Sequence, residues 1–451
     1  MSETYMLFSV ALGILILLLL VLKLKIHAFL SLLITSMFVG LITGMDLTAI
    51  AKSIEDGMGN TLGFVATVVG LGAILGQLLE ASGGAESIAH TMLNKFGKEK
   101  APWALVITGF ILSIPVFLDV GFVILVPIIY ALGRETKRSL LFYAIPLLAG
   151  MAVTHAFIPP TPGPVAVAEI LDAQLGWIIL LGVIVGFPTA IVAGPLFGKY
   201  ISKRITVSPP DYFTDHQNAP KPDVYPSFRT VIIIIALPLL LIILHSITEV
   251  LYQNQFLISE PVYKIFALIG HPFFALTLAT LMALYVLGIK KGFSKEKLSE
   301  LSGKALGPAG LIILVTGAGG VFKQILIDSG VGEMLAKNMV NSSLPPIVLA
   351  YLLAVVVRIT QGSNTVSMIT AAGIMAPILP IFELTQIQTA LIVLSIASGA
   401  TILSHVNDSG FWLVGKYLGL TEKQTLKSWT VMETIISITG FIMVLMLSFI
   451  L

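Results

Sequence analysis

Apolar runs long enough to cross a lipid bilayer recur along almost the whole chain, and this limits its possible folds more than any other feature. A hydrocarbon core of roughly 30 Å takes about 20 apolar residues in a helix rising ~1.5 Å per residue. Candidates lie at 5–22, 27–44, 61–80, 139–170, 176–197, 229–248, 262–288, 306–327, 386–415 and 428–451. Two more, 102–132 and 345–380, are too long for one upright helix and are broken midway by Pro, Gly and polar residues. The expected fold class is an all-α polytopic membrane protein. Only 11% of the 451 residues are charged, against roughly 25% in a soluble domain, which excludes a soluble enzyme or a nucleic-acid binder. Cysteine is absent, so thiol catalysis, disulfides and thiolate metal sites are excluded. The first run has no basic leader or cleavage signal and is followed by Lys23 and Lys25, so it reads as a retained helix rather than a signal peptide.

The scarce charges orient the segments, because short cytoplasmic loops carry the Lys and Arg excess. Both flanks of 102–132 are basic, with Lys95, Lys98 and Lys100 before it and Arg134, Lys137 and Arg138 after it. A segment with both flanks on one side enters and leaves by the same face. The flanks of 345–380 carry little positive charge and read as external. The pattern predicts two re-entrant hairpins, one from each side, among ten crossings with both termini outside. The internal loops then hold 21 of the 26 basic residues.

The polar, Pro-rich linker 198–228 divides the chain into a first unit, 1–197, and a second, 229–451. Five crossings per half invert the second half relative to the first, as in many secondary transporters. Residues 70–93 align with 317–340 at an offset of 247, matching Gln77 with Gln324, Ser82-Gly83 with Ser329-Gly330 and Glu86 with Glu333. Shared composition alone can produce such a match, but the charge pattern reaches the same halves independently.

Irregular backbone at membrane depth is tolerated only where it is buried in protein or lines a polar cavity, so the chain breaks are the candidate sites. The hairpin 102–132 turns at SIPVFLDVG, with Asp119 beside Gly121. The hairpin 345–380 turns at a polar run, Gln361, Gly362, Ser363, Asn364 and Thr365. Such a run caps a helix start, and the same N-terminus attracts an anion. Within 139–170 and 386–415 lie THAFIPPTPGP and ILSHVNDSG, which place His155 opposite His405 at an offset of 250 and add Thr161, Asn407, Asp408 and Ser409. Ionisable groups inside membranes are costly and mark function by default. Asp119 is the first candidate for carrying a proton and Asp408 the second, since a carboxylate removed from water is more readily protonated. The structural alternatives are a helix cap for Asp408, an ion pair for Arg358 and satisfied core positions for the histidines. Lys323, Glu80 and Asp328 read as structural. HExxH, strand-linked GxGxxG and GxxxxGK[ST] motifs are missing, which argues against a membrane protease or an ATP-driven pump.

At these residues the chain resembles the gluconate permease family of sugar-acid:proton symporters. The likeness runs through GLGAILGQLLEASGGAE, FLDVGFVILVP, HAFIPPTPGP, QGSNTVSMITAAG and ILSHVNDSGFWLV with LKSWTVMETI, over nearly the whole chain. The resemblance implies import of gluconate or a related small hydroxylated monocarboxylate across the bacterial inner membrane. Protons would be the coupling ion, with sodium the alternative and no bound cofactor. It also implies paired inverted repeats, an elevator-type transport domain holding both hairpins beside a scaffold, and a homodimer. Substrate would be held by Gln361, Gly362, Ser363, Asn364, Thr365, His155, Thr161, Arg358, His405, Asn407, Asp408, Ser409 and Gly121. Gluconate members tend to have Glu where Asp119 stands and His where Thr161 stands, and the family includes carriers of glycerate, fructuronate, idonate and D-serine. Other readings are a sodium-coupled di- or tricarboxylate carrier and a membrane enzyme or sensor.

Overall fold

The computed structural model describes residues 3–209, 225–253, 259–331, 344–406 and 408–451. The centre of the linker, Glu333 and Asn407 therefore lie outside the described residues. All regular structure among the described residues is helical, and seven helices are long and apolar enough to cross a membrane. The chain opens with α1, Glu3–Leu18, and α2, Ala28–Ile42.

The longest elements are α3, Leu47–Ala81, and α13, Lys295–Asp328. Each is about 50 Å long at ~1.5 Å per residue, more than the apolar part of a bilayer. The sequence expectation placed these spans at 61–80 and 306–327. It missed their N-terminal turns because Lys52, Glu55, Asp56, Lys297 and Glu300 carry both helices beyond the apolar windows. Both helices end alike. Ser82 caps α3 and is followed by Gly83 at φ 76°, and Ser329 caps α13 and is followed by Gly330 at φ 72°. A left-handed residue just past a helix end is the ordinary role of glycine, and these two ends stand at the offset of the sequence repeat. The helices cross closely, since a Cβ on Gly57 would lie 2.8 Å from the Gly320 carbonyl oxygen. Small residues at a crossing are how helices approach each other in lipid.

After α4, Gly84–Phe96, the first hairpin is α5, Ala101–Leu112, and α6, Leu118–Thr136. Its two outer ends come together, because Lys98 is ion-paired with Glu135. The hairpin thus starts and finishes on one side of the molecule. The segment 139–170 is two helices, α7, Leu141–Phe157, and α8, Pro162–Ile170. Pro159 and Pro160 supply no backbone N–H, so the first helix has to stop there. This broken pair is the most enclosed element, with 89% of its most apolar window buried against 39% for α10, Phe228–Gln253. Between them runs α9, Leu175–Ile201, which contains a π-helical turn at Val192–Leu196.

The second half departs from expectation at 262–288, which is not one helix. Gly270 ends α11, Glu260–Ile269, and His271 caps α12, Pro272–Lys291, with Pro272 at the first helical position. The α11 helix buries none of its residues. The second hairpin is α14, Pro346–Gln361, and α15, Asn364–Met375, turning at Gly362 with φ 86°. The segment 386–415 is broken as expected, into α16, Gln386–Ala400, and α17, Ser409–Leu418. The last helix, α18, is Glu422–Ser448, with a π-helical turn at Leu426–Thr430.

Each hairpin packs on a broken helix by the same device. A Cβ on Gly150 of α7 would lie 2.3 Å from the Val106 carbonyl oxygen and 2.7 Å from the Phe110 nitrogen of α5. A Cβ on Gly399 of α16 would lie 2.5 Å from the Tyr351 carbonyl oxygen and 3.2 Å from the Val355 nitrogen of α14. In both places a glycine presses on the backbone of one helical turn, so the broken helices sit against their hairpins with no side chain between.

Candidate functional site

The tip of each hairpin and both broken helices face a single cavity of about 960 Å³. That is near the upper end of the roughly 300–1,000 Å³ usual for small-molecule sites. Its wall takes Phe117, Leu118, Asp119 and Val120 from the first tip, and 361–366 from the second. His155 comes from the last turn of α7, and Asp408, Ser409 and Gly410 from the start of α17. Three helices, α6, α15 and α17, therefore open their N-termini onto one space. Each N-terminus carries unpaired N–H groups and the positive end of a helix dipole.

These three ends differ in what already neutralises them. The first turn of α6 holds Asp119, and α17 is capped by Asp408, whose Oδ1 accepts the Gly410 N–H at 3.1 Å. The α15 helix has no acid in its first turn, and its cap is the neutral Ser363, whose Oγ accepts the Val366 N–H at 3.4 Å. An anion in this cavity is therefore best placed at α15. Beside it, the buried Oδ1 of Asn364 has no hydrogen-bond partner among the described residues.

Arg358, 2% exposed, holds the second tip to the second break. Its Nη2 donates to Asp408 Oδ2 at 2.6 Å, its Nε donates to the Ile402 carbonyl at 3.3 Å, and its Nη1 donates to the Gly362 carbonyl. The same Asp408 oxygen accepts from the Ser404 hydroxyl, which in turn accepts from Trp429 Nε1 at 2.6 Å. The Thr430 hydroxyl donates to the Ser404 carbonyl. Asp408 thus both caps α17 and pairs with Arg358, the two structural roles open to them in the sequence. On the opposite wall, Asp119 has no hydrogen bond or ion pair with a described residue and opens onto the cavity. The half-buried His155 packs edge-on to Phe117 at 6.2 Å, and its buried Nδ1 has no partner among the described residues.

Of the residues singled out in the sequence, the cavity brings together Asp119, His155, Arg358, Gln361, Gly362, Ser363, Asn364, Thr365, Asp408 and Ser409. Three stand outside its wall. The Thr161 hydroxyl donates to the Ile158 carbonyl at 2.6 Å, beside a small void between the α7–α8 break, the first tip and α3. His405 Nε2 is bonded to the Ile359 carbonyl at 3.2 Å. At Gly121 an added Cβ would lie 2.5 Å from the Met151 methyl, so that glycine serves packing. The wall also contains His27, Phe117, Trp429 and Glu433, which sequence reasoning missed. For Glu433 a signal existed, an acid a few residues inside the apolar span 428–451.

Comparison with known proteins agrees with this architecture. Residues 5–450 match the GntP family permease. The chain is 39% identical to the gluconate permease of Pseudomonas aeruginosa over 450 residues, 100% of this chain and 99% of that one. It is 42% identical to the low-affinity gluconate transporter of Escherichia coli K12 over 431 residues, 95% of each. The crystal structure of the YdaH transporter of Alcanivorax borkumensis is alike in fold, with a TM-score of 0.60 at 16% identity over 90% of each chain. The chain is therefore a multi-pass membrane protein of the GntP permease family, a transporter and not an enzyme.

Proposed function

We propose that the protein imports gluconate, or a closely related small hydroxylated monocarboxylate, together with protons across the bacterial inner membrane. The observation that carries this reading is the uncapped-by-acid N-terminus of α15, which opens between Ser363, Asn364 and Thr365 into a cavity shared with Arg358. A substrate carboxylate sits at that helix end, and its hydroxyls face the polar wall formed by Gln361, Asn364 and Ser409. The names of the two relatives point to the same substrate. Proton coupling follows from charge. Among the described wall residues, Asp119, Asp408 and Glu433 oppose one guanidinium, Arg358. An added anion in a poorly hydrated space is disfavoured unless a carboxylate takes up a proton. Asp119, the unpaired one, is assigned that proton.

Counterflow in proteoliposomes tests the substrate: labelled gluconate is expected to exchange, with glycerate, fructuronate, idonate, D-serine and citrate as competitors. No exchange with any monocarboxylate would overturn the reading. Accumulation driven by a sodium gradient and indifferent to a proton gradient would move it to sodium coupling.

Transport is assigned to two inverted halves, 1–197 and 229–451, with the hairpins and broken helices moving as an elevator unit against a scaffold in a dimer. The matching glycine contacts of Gly150 and Gly399 support the repeat. The Lys98–Glu135 pair supports a hairpin with both ends on one side. The chain has no cysteine, so single Lys95→Cys and Arg134→Cys variants give clean labelling. Both are expected to react only from the cytoplasm, and a reaction of either from outside would refute the re-entrant topology.

A further inference from the structure

Glu433 is the acid that the preceding reading leaves without a role. It is 3% exposed, lies in α18 just beyond the π-helical turn, and contributes to the cavity wall. Such turns are frequent at functional sites, and this one supplies Trp429 and Thr430, which fasten α18 to Ser404. The fastening sets Glu433 beside the Arg358–Asp408 pair, within electrostatic reach of both. Arg358 nevertheless spends its described bonds on Asp408, Gly362 and Ile402. Glu433 Oε1 is buried with no hydrogen-bond partner among the described residues. The groups that share its cavity are Arg358 from α14, Asp408 ahead of α17, Asp119 from α6, His155 from α7 and His27 ahead of α2.

A buried carboxylate without a donor is costly when ionised. With Asp119, Asp408 and Glu433 all ionised against Arg358, the wall carries an excess of two negative charges before any substrate arrives. One proton on Asp119 leaves that excess unchanged once a monocarboxylate has bound. Asp408 already accepts from Arg358, from Ser404 and from the Gly410 N–H. We infer that Glu433 is a second proton-carrying residue of the transport cycle, loaded together with the substrate anion and unloaded with it. The proton comes from water on the outer side, adds to a carboxylate oxygen of Glu433, and leaves to water on the inner side. No other bond changes.

This inference rests on the proposed proton symport, and the experiment separates the two. Wild-type protein in proteoliposomes is first measured for gluconate flux against opposing pH gradients, which yields its proton-to-substrate ratio. If it shows no proton-driven uptake, the proposed function fails. If it does, Glu433→Gln is expected to lower the ratio by one while counterflow stays within about twofold, because the amide keeps the shape and an acceptor oxygen. Glu433→Asp is expected to restore the ratio, since it returns a titratable group. An unchanged ratio in Glu433→Gln makes Glu433 an acceptor for substrate hydroxyls and overturns the inference. Should Glu433→Gln fail to fold, the decision passes to the parent: a wild-type ratio of one, abolished by Asp119→Asn, leaves no proton for Glu433 and overturns it equally. A ratio of two that Asp119→Asn reduces to one upholds it.

Discussion

Replacing Arg358 with methionine is expected to abolish uptake and counterflow together and to lower the stability of the purified protein by about 3–5 kcal/mol, the usual cost of stripping one partner from a buried ion pair. The loss has two parts. Asp408 keeps its cap on α17 but becomes a buried negative charge with no countercharge, beside a second acid, Glu433. The carbonyls of Gly362 and Ile402 also lose their donor, so the turn of the second hairpin separates from the α16–α17 break. Arg358→Lys is expected to recover part of the stability and little transport, because one ammonium cannot span three acceptors in the plane a guanidinium does. The double variant Arg358→Met/Asp408→Asn removes the uncompensated charge. Its thermal transition should return most of the way to that of the parent while transport stays absent. Thermal melts in detergent beside counterflow assays decide this, and an Arg358→Met protein with parental melting and exchange would show that the pair neither holds the tip nor shapes the site.

The chain breaks were legible in the letters because each is a violation of local expectation. Proline, glycine and short polar residues inside an apolar run leave backbone groups that lipid cannot satisfy, and the breaks at 158–161, at Gly362 and at 401–408 fall where those residues cluster. The repeat was legible for a related reason, since Ser82-Gly83 and Ser329-Gly330 are helix ends with a fixed backbone demand. Side-chain direction was not legible. His155 and His405 match by position, yet α7 continues two residues past His155, whereas α16 stops at Ala400 and leaves His405 in the connecting turn. One histidine therefore meets the cavity and the other bonds to Ile359. Thr161 falls outside the cavity wall for a like reason, because its hydroxyl turns back onto the chain end it follows. Glu433 lies far in sequence from any break, and only the packing of α18 on α16, fastened through Trp429 and Ser404, makes it a neighbour of Arg358.

Asp119→Asn should leave the protein folded and able to exchange substrate but unable to accumulate it with the proton gradient to the normal extent. Folding is spared because Asp119 holds no described hydrogen bond or ion pair, so an isosteric amide breaks nothing. Exchange is spared because counterflow returns the carrier loaded and requires no net proton release. Accumulation falls because the group that gains and loses the proton is gone. A second consequence separates this role from a merely structural one. In the parent, rising pH leaves Asp119 ionised, and its charge then opposes the incoming carboxylate across the cavity, as it opposes Asp408 already. A repulsion of about 1.4 kcal/mol is one tenfold step in affinity, so the half-saturating gluconate concentration of the parent should climb by roughly that factor between acidic and alkaline medium. In the Asn variant that climb should be much smaller, with the value at alkaline pH lying below the parent's. Asp119→Glu keeps the titrating group and is expected to keep both accumulation and the climb. If Asp119→Asn accumulates gluconate as steeply as the parent and keeps the same pH dependence, the proton is carried elsewhere, and Glu433 becomes the group through which the cavity balances the charge of its substrate.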